Sequence, residues 1–201
     1  KLMATRYWWK NMSRDVGRWI KACAICCRRK TPRPKHAGKP YSVCTTPYPF
    51  HTVAIDLVGP IEETLKGNKY ILTMLDLFTR WTIAVPIPSK DAEVVAHAIH
   101  SNLTTKHACP ENIYSDRGTE FVNAGLQAMC TRWGIKAIAS TGWQPQANPV
   151  ERVHRWLNSS MTPLQRKFGN EWDLYVDAVI FAFNTSHHDS TGYSPFALLY
   201  G

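Results

Sequence analysis

The chain has 201 residues, is 44% hydrophobic and 19% charged, and carries a formal net charge of +9. That length supports one domain with a full core plus a small appendage, at a composition ordinary for a globular protein. No apolar run approaches the roughly 18 residues of a membrane span, and the opening KLMATRYWWKNM lacks the apolar stretch of a secretory signal. A start without Met, in mid-pattern, reads as a fragment of a longer protein.

The charge is uneven. Residues 1–40 hold twelve Lys/Arg against Asp15, giving +11, whereas residues 41–201 hold twelve against fourteen acids, giving −2. A basic segment of this kind is either a solvated tail or a binder of phosphate backbones through counterion release. The six cysteines are Cys23, Cys26, Cys27, Cys44, Cys109 and Cys130. In a domain this large without a secretory signal they read as reduced thiols.

In chain order, Met12, Val16, Trp19, Ile20 and Cys23 fall at helical spacing and predict a helix running into Cys23-Ala-Ile-Cys26. A basic stretch rich in Pro and Gly follows and marks a linker over 31–48. The second domain opens with a strand at His51–Val58, stopped by Gly59-Pro60. Two β-rich runs, Tyr70–Leu77 and Trp81–Ile87, form a hairpin through Phe78-Thr79-Arg80. A helix is predicted from Asp91 to about Leu103, a strand at Asn112–Ser115, and a helix from Glu120 to Trp133 ending at Gly134. A strand at Ile135–Ala139 follows, then the polar loop STGWQPQAN, and helices from Pro149 and from Asn170 to Asn184. Three meander strands followed by alternating helices and strands give an α/β fold, a five-stranded mixed sheet with helices on both faces.

Three acids stand at unusual addresses. Asp56 lies inside the first strand, Asp116 ends the fourth, and Glu151 is in the first turn of the helix after the polar loop. If strands one and four are neighbours, the two aspartates face each other and repel unless a cation fills the gap; oxygen ligands on strands suit Mg²⁺ or Mn²⁺. Glu151 also reads as N3 of a capping box begun by Asn148 and Pro149, and the two roles can coexist. Glu151, His154, Arg155 and Asn158 share one polar helix face. Asp76 reads as a structural strand-end group or an ion pair with Arg80, Asp91 as an N-cap, and Glu120 as a helix-dipole partner.

These stretches resemble the integrase of gypsy-type LTR retrotransposons, kin of retroviral integrases. YWWKNMSRDVGRWIKACAICCRRK is similar to the end of that family's zinc-binding domain. AIDLVGPI, the run YILTMLDLFTRWTIAVPIPSKDAEVVAHAI, IYSDRGTEF, QPQANPVERVHRWLN and GYSPFALLYG are similar, in order, to segments of its catalytic core. The resemblance implies a ribonuclease H-like fold for residues 49–201, preceded by the C-terminal part of a zinc-binding domain at 1–30. It carries a catalytic and metal-binding triad onto Asp56, Asp116 and Glu151, holding two Mg²⁺ or Mn²⁺ ions. The interval from Asp116 to Glu151 is one residue shorter than in retroviral members. Cys23 and Cys26 match the two zinc-ligating cysteines; no His precedes them, because His36 is the first in the chain, so either the chain is cut inside that domain, the favoured reading, or the zinc site is lost. The family's C-terminal DNA-binding domain is likewise absent from the match.

The implied activity is DNA integration: a polynucleotidyl transferase with endonuclease activity that processes the 3′ ends of retroelement cDNA and joins them to host DNA. DNA contacts are expected from Arg152, His154 and Arg155, from Trp143, Gln146 and Asn148 of the polar loop, and from the arm containing Arg28, Arg29 and Lys30. Trp143 has loop anchoring as its other reading. A homo-oligomer acting in the nucleus is expected, with a cytoplasmic virus-like particle as a further location and no membrane association. The rival functions are a domesticated host protein that only binds DNA or protein, and a ribonuclease H-like nuclease.

Overall fold

Successive side chains of a strand point to opposite faces, and the central strands Thr52–Val58 and Tyr70–Asp76 are largely covered on both, whereas the edge strand Lys136–Ala139 is largely exposed. The computed structural model describes residues 6–22, 46–115, 124–139, 150–168 and 170–201. The chain divides into two units, Lys1–Tyr41 and Ser42–Gly201. In the first, α1 spans Met12–Ala22, as its spacing predicts. Its opening turn is closed by the N–H groups of Arg14 and Asp15 on the Asn11 carbonyl, and the Trp9 indole donates to Asp15. The apolar stripe covers little among the described residues: no α1 residue is buried, and Trp19 is 78% exposed.

The second unit contains β1 (Thr52–Val58), β2 (Tyr70–Asp76), β3 (Thr82–Ile87), α2 (Ala92–Ile99), β4 (Asn112–Ser115), α3 (Ala124–Arg132), β5 (Lys136–Ala139), α4 (Val150–Phe168), α5 (Val176–Thr185) and α6 (Pro195–Tyr200). The sheet order is β3-β2-β1-β4-β5. The first three strands pair antiparallel, and β4 pairs parallel with both β1 and β5. The expected neighbourhood of strands one and four is therefore found. One sheet face packs Val53, Ile55, Leu72 and Met74 against Val95 and Ile99 of α2 and Leu126 of α3. The other packs Ala54, Ile71 and Leu75 against Val150, Val153 and Leu157 of α4 and Val176 and Ile180 of α5. Each such fully buried aliphatic side chain stabilises the fold by about 1.5–3 kcal/mol before ordering costs.

Local chemistry fixes the ends. Gly134 takes a φ of 69°, and the N–H groups of Gly134 and Ile135 return to the carbonyls of Thr131 and Cys130, closing α3 with the expected glycine. Asp91 occupies the N-cap position of α2, but its side chain makes no cap bond; it accepts instead from the Ser89 hydroxyl at 2.6 Å. The helix predicted to Leu103 ends at Ile99, and the chain continues as a wider π turn over His100–Thr104. Asn184 of α5 accepts from the Thr82 N–H and donates to the Thr82 carbonyl, at 2.9 and 2.8 Å. That amide occupies backbone groups on the edge strand β3 that would otherwise stand open to another strand.

Candidate active site

Asp56 belongs to the sheet face covered by α4, because it alternates with Ile55 and Leu57 and shares the side of Ala54. Its Oδ1 accepts from the Leu57 N–H at 2.8 Å. Its Oδ2 lies 3.5 Å from Nδ1 of His154, and the two side chains are 20% and 15% exposed. The helix presents this imidazole because Val150, Val153 and Leu157, all buried, lock the neighbouring face of α4 onto the sheet. Glu151 lies one turn before His154, at the i, i+3 spacing that shares a face. Arg152 and Arg155 are solvent-exposed.

Directly across the β1–β2 ladder from Asp56 stands Thr73, whose side chain therefore shares the same face. Thr73 is wholly buried, and its Oγ1 has no hydrogen-bond partner among the described residues. Leaving a hydroxyl unsatisfied in this way costs about 1–3 kcal/mol. Sequence reading passed over Thr73; the antiparallel pairing of Asp56 with the second strand is the signal that finds it.

Asp76, the other strand acid, is a structural group. It is 1% exposed, and its carboxylate accepts from the N–H groups of Phe50, Phe78 and Thr79 and from the Thr79 hydroxyl. It fastens the β2–β3 turn to the chain entering β1. Its hydrogen bonds go to backbone and Thr79, where sequence reading offered Arg80 as one partner.

Asp116, Trp143, Gln146, Asn148, Cys23, Cys26, Arg28, Arg29, Lys30 and Glu120 lie outside the described residues, as does the side chain of Glu151. Among the described residues no three His, Cys, Asp or Glu side chains gather closely enough to hold a metal ion. What they supply is a strand-borne carboxylate, an imidazole beside it and a buried hydroxyl lacking a partner. This oxygen-rich, partly covered surround fits a hard, hydrated divalent cation.

The family profile described as "Integrase core domain" matches residues 47–145, and that described as "Integrase zinc binding domain" matches residues 1–32. The retrovirus-related Pol polyprotein from transposon 412 of Drosophila melanogaster is 32% identical over 97% of this chain. The chain belongs to the integrase family. Other integrase relatives include the gypsy retrotransposon integrase-like protein 1 of Bos taurus, 27% identical over 97% of the chain. The Pro-Pol polyprotein of simian foamy virus type 3 is 30% identical over 99%. The chain spans 16%, 38% and 17% of the lengths of these three relatives.

The integrase fold is ribonuclease H-like. The catalytic core domain of BIV integrase superposes with a TM-score of 0.58 at 21% identity, over 75% of this chain and 94% of that one. The HTLV-2 integrase catalytic core domain, in complex with magnesium and in trimeric form, gives 0.61 at 16% identity, over 75% and 96%. No helix among the described residues of this integrase is long and apolar enough to cross a membrane.

Proposed function

We propose that this integrase chain is a polynucleotidyl transferase that trims the 3′ ends of retroelement cDNA and joins them to host DNA, using Asp56, Asp116 and Glu151. The β1–β4 register carries the reading. Thr52, Val53 and Ala54 pair with Asn112, Ile113 and Tyr114, an offset of 60 residues. The interval from Asp56 to Asp116 is also 60. Asp116 directly follows Ser115, the last residue of β4, so the same offset, if continued two residues past the third pair, would set it opposite Asp56. The turn of α4 that holds His154 against Asp56 supports bringing Glu151 to the same edge.

Asp56, Asp116 and Glu151 would hold Mg²⁺ or Mn²⁺, which supplies Lewis-acid neutralisation of charge at the reacting phosphate. The chain's own residues do the positioning. The Leu57 N–H fixes one oxygen of Asp56, and the β1 ladder denies the carboxylate the freedom of a loop. Water or a cDNA 3′-hydroxyl attacks in line. A new P–O bond forms as the bond to the leaving oxygen breaks; the attacking group loses its proton to solvent and the leaving oxygen gains one. No covalent enzyme intermediate is required.

In the first unit, Cys23 and Cys26 would supply two of the four ligands of a tetrahedral zinc site, a reading supported by the zinc-domain match at 1–32. DNA as partner, self-association and nuclear action belong to the same proposal; the trimeric HTLV-2 core supports the second. The mammalian integrase-like relatives favour a second reading, a host protein that binds without catalysing. A strand-transfer assay on a DNA end with Mg²⁺ or Mn²⁺ separates them. Activity abolished by Asp116→Asn, with the fold intact by circular dichroism, supports the triad; activity retained by that variant refutes it.

A further inference from the structure

We propose that Arg80 and Arg152 form a second phosphate site, taking the backbone of duplex DNA on the flank of α4 opposite Asp56; the inference rests on the nucleic-acid reading above. The α4 helix divides its polar groups around the stripe formed by Val150, Val153 and Leu157. His154 goes to Asp56. Arg152 and Trp156, one turn apart, go to the other side, where the Trp156 ring meets Phe183 of α5 at a centroid separation of 4.9 Å. Phe183 in turn meets His188 at 4.5 Å. The residue after Phe183, Asn184, holds both backbone groups of Thr82, two positions from Arg80. Three segments thus converge: the β2–β3 turn, the start of α4 and the loop after α5.

Arg80 sits there at a cost. Its φ is 66°, a left-handed conformation uncommon for a long side chain, taken where the β2–β3 turn closes with the Arg80 N–H on the Asp76 carbonyl. Arg80 is half-buried, and burial, then the charge of Arg152, pushes its pKa down against the opposing pull of Asp76. The Asp76 carboxylate is already engaged by four donors. Among the described residues neither Arg80 nor Arg152 takes part in an ion pair, and the Arg80 guanidinium donates no hydrogen bond. The neighbouring His188 is held toward its neutral form mainly by burial; the Phe183 carbonyl opposes this, and the charges of Arg80 and His187 reinforce it. Two guanidinium groups brought together where the nearby carboxylate is already engaged by other donors repel each other, and a bridging phosphodiester removes that repulsion with the planar, multi-donor geometry arginine offers.

The test measures the affinity of the full 201-residue chain for a short labelled DNA duplex across a salt series, in EDTA to exclude divalent-ion effects. Each lost phosphate contact lowers the slope of log affinity against log salt by roughly 0.9, so Arg80→Asn with Arg152→Gln should lower it by about 1.8. Asn tolerates the left-handed backbone at position 80. Arg80→Lys with Arg152→Lys should keep the slope, and so should Lys66→Gln, in the loop after β1. If the double variant fails to fold, the single exposed change Arg152→Gln carries the test, with an expected loss of about 0.9. An unchanged slope in a folded variant overturns the site, whatever the catalytic assay gives. A slope that falls in a protein inactive in strand transfer upholds the phosphate site and counts against the integration reading alone. Failure of the parent chain to bind the duplex overturns both.

Discussion

His154 Nδ1 stands 3.5 Å from Oδ2 of Asp56, and both side chains are mostly covered. The imidazole is therefore placed to hold the carboxylate in one orientation, as groups behind a metal-binding side chain do. His154→Ala should weaken Mn²⁺ binding by roughly 10–100-fold with little change in thermal midpoint. Calorimetric titration of Mn²⁺ checks this; unchanged affinity would remove His154 from the positioning of Asp56.

Thr73 makes a different demand. Thr73→Val removes a buried hydroxyl that has no partner among the described residues, so the fold should be as stable as before or more so, by up to about 1–3 kcal/mol. If that hydroxyl serves an ion or its water beside Asp56, Mn²⁺ affinity should fall at the same time. Stability and affinity moving in opposite directions is the signature; affinity that does not move would make Thr73 a packing residue only.

Asp76 gives the control acid. Asp76→Ala strands the buried donors of Thr79 and Phe50 and should cost at least about 3 kcal/mol in urea unfolding. Any activity remaining at low temperature should keep the metal dependence of the parent chain. A stable Asp76→Ala protein with no activity would instead move Asp76 into the catalytic set.

Acid should loosen the fold near the aromatic cluster. His107 stacks on Phe50 and meets Trp81 edge-on, and burial, then the Lys106 charge, lowers its pKa from the usual value. The unfolded chain then takes up a proton more readily than the folded one. The stability His107 contributes is complete above its ordinary pKa of about 6.5 and is lost as pH falls through the lowered folded value. The thermal midpoint should drop on going from about pH 7.5 to about pH 5.5. His107→Phe should flatten the dependence without abolishing it, because His188 is shifted in the same direction. A slope unchanged by His107→Phe would assign the acid sensitivity elsewhere.

The strands were legible because they are short, apolar, β-rich runs and because Gly59-Pro60 and Gly134 mark ends that the backbone enforces. The element order allowed β1 and β4 to be neighbours, and the parallel pairing of the two strands decides it. Side-chain allegiances were harder to read. Asp91 stands where a cap belongs, yet Ser89, two residues away, competes for its carboxylate. The π turn at His100–Thr104 leaves no periodic trace in a segment whose Ile99 and Leu103 still fit a helix. The closing helix α6 was recognised only as a matching motif, although Ser194-Pro195 is a local start signal and the Ser194 hydroxyl does accept from the Ala197 N–H. His154 was grouped with Arg155 on a polar face; only the docking of α4 on the sheet shows that it meets Asp56. Thr73 stayed silent, and Arg80 was read only as a partner for Asp76, because neither pairing across strands nor the convergence of three segments is a local property of the sequence.

The most direct measurement is a crystal structure of the chain grown with Mn²⁺, read by anomalous scattering. The account predicts manganese at about 2.0–2.2 Å from carboxylate oxygens of Asp56 and Asp116, with Glu151 at the same edge of the sheet. Manganese bound elsewhere, or a Glu151 carboxylate turned to the far side of α4 from Asp56 in the ion-loaded protein, would contradict it.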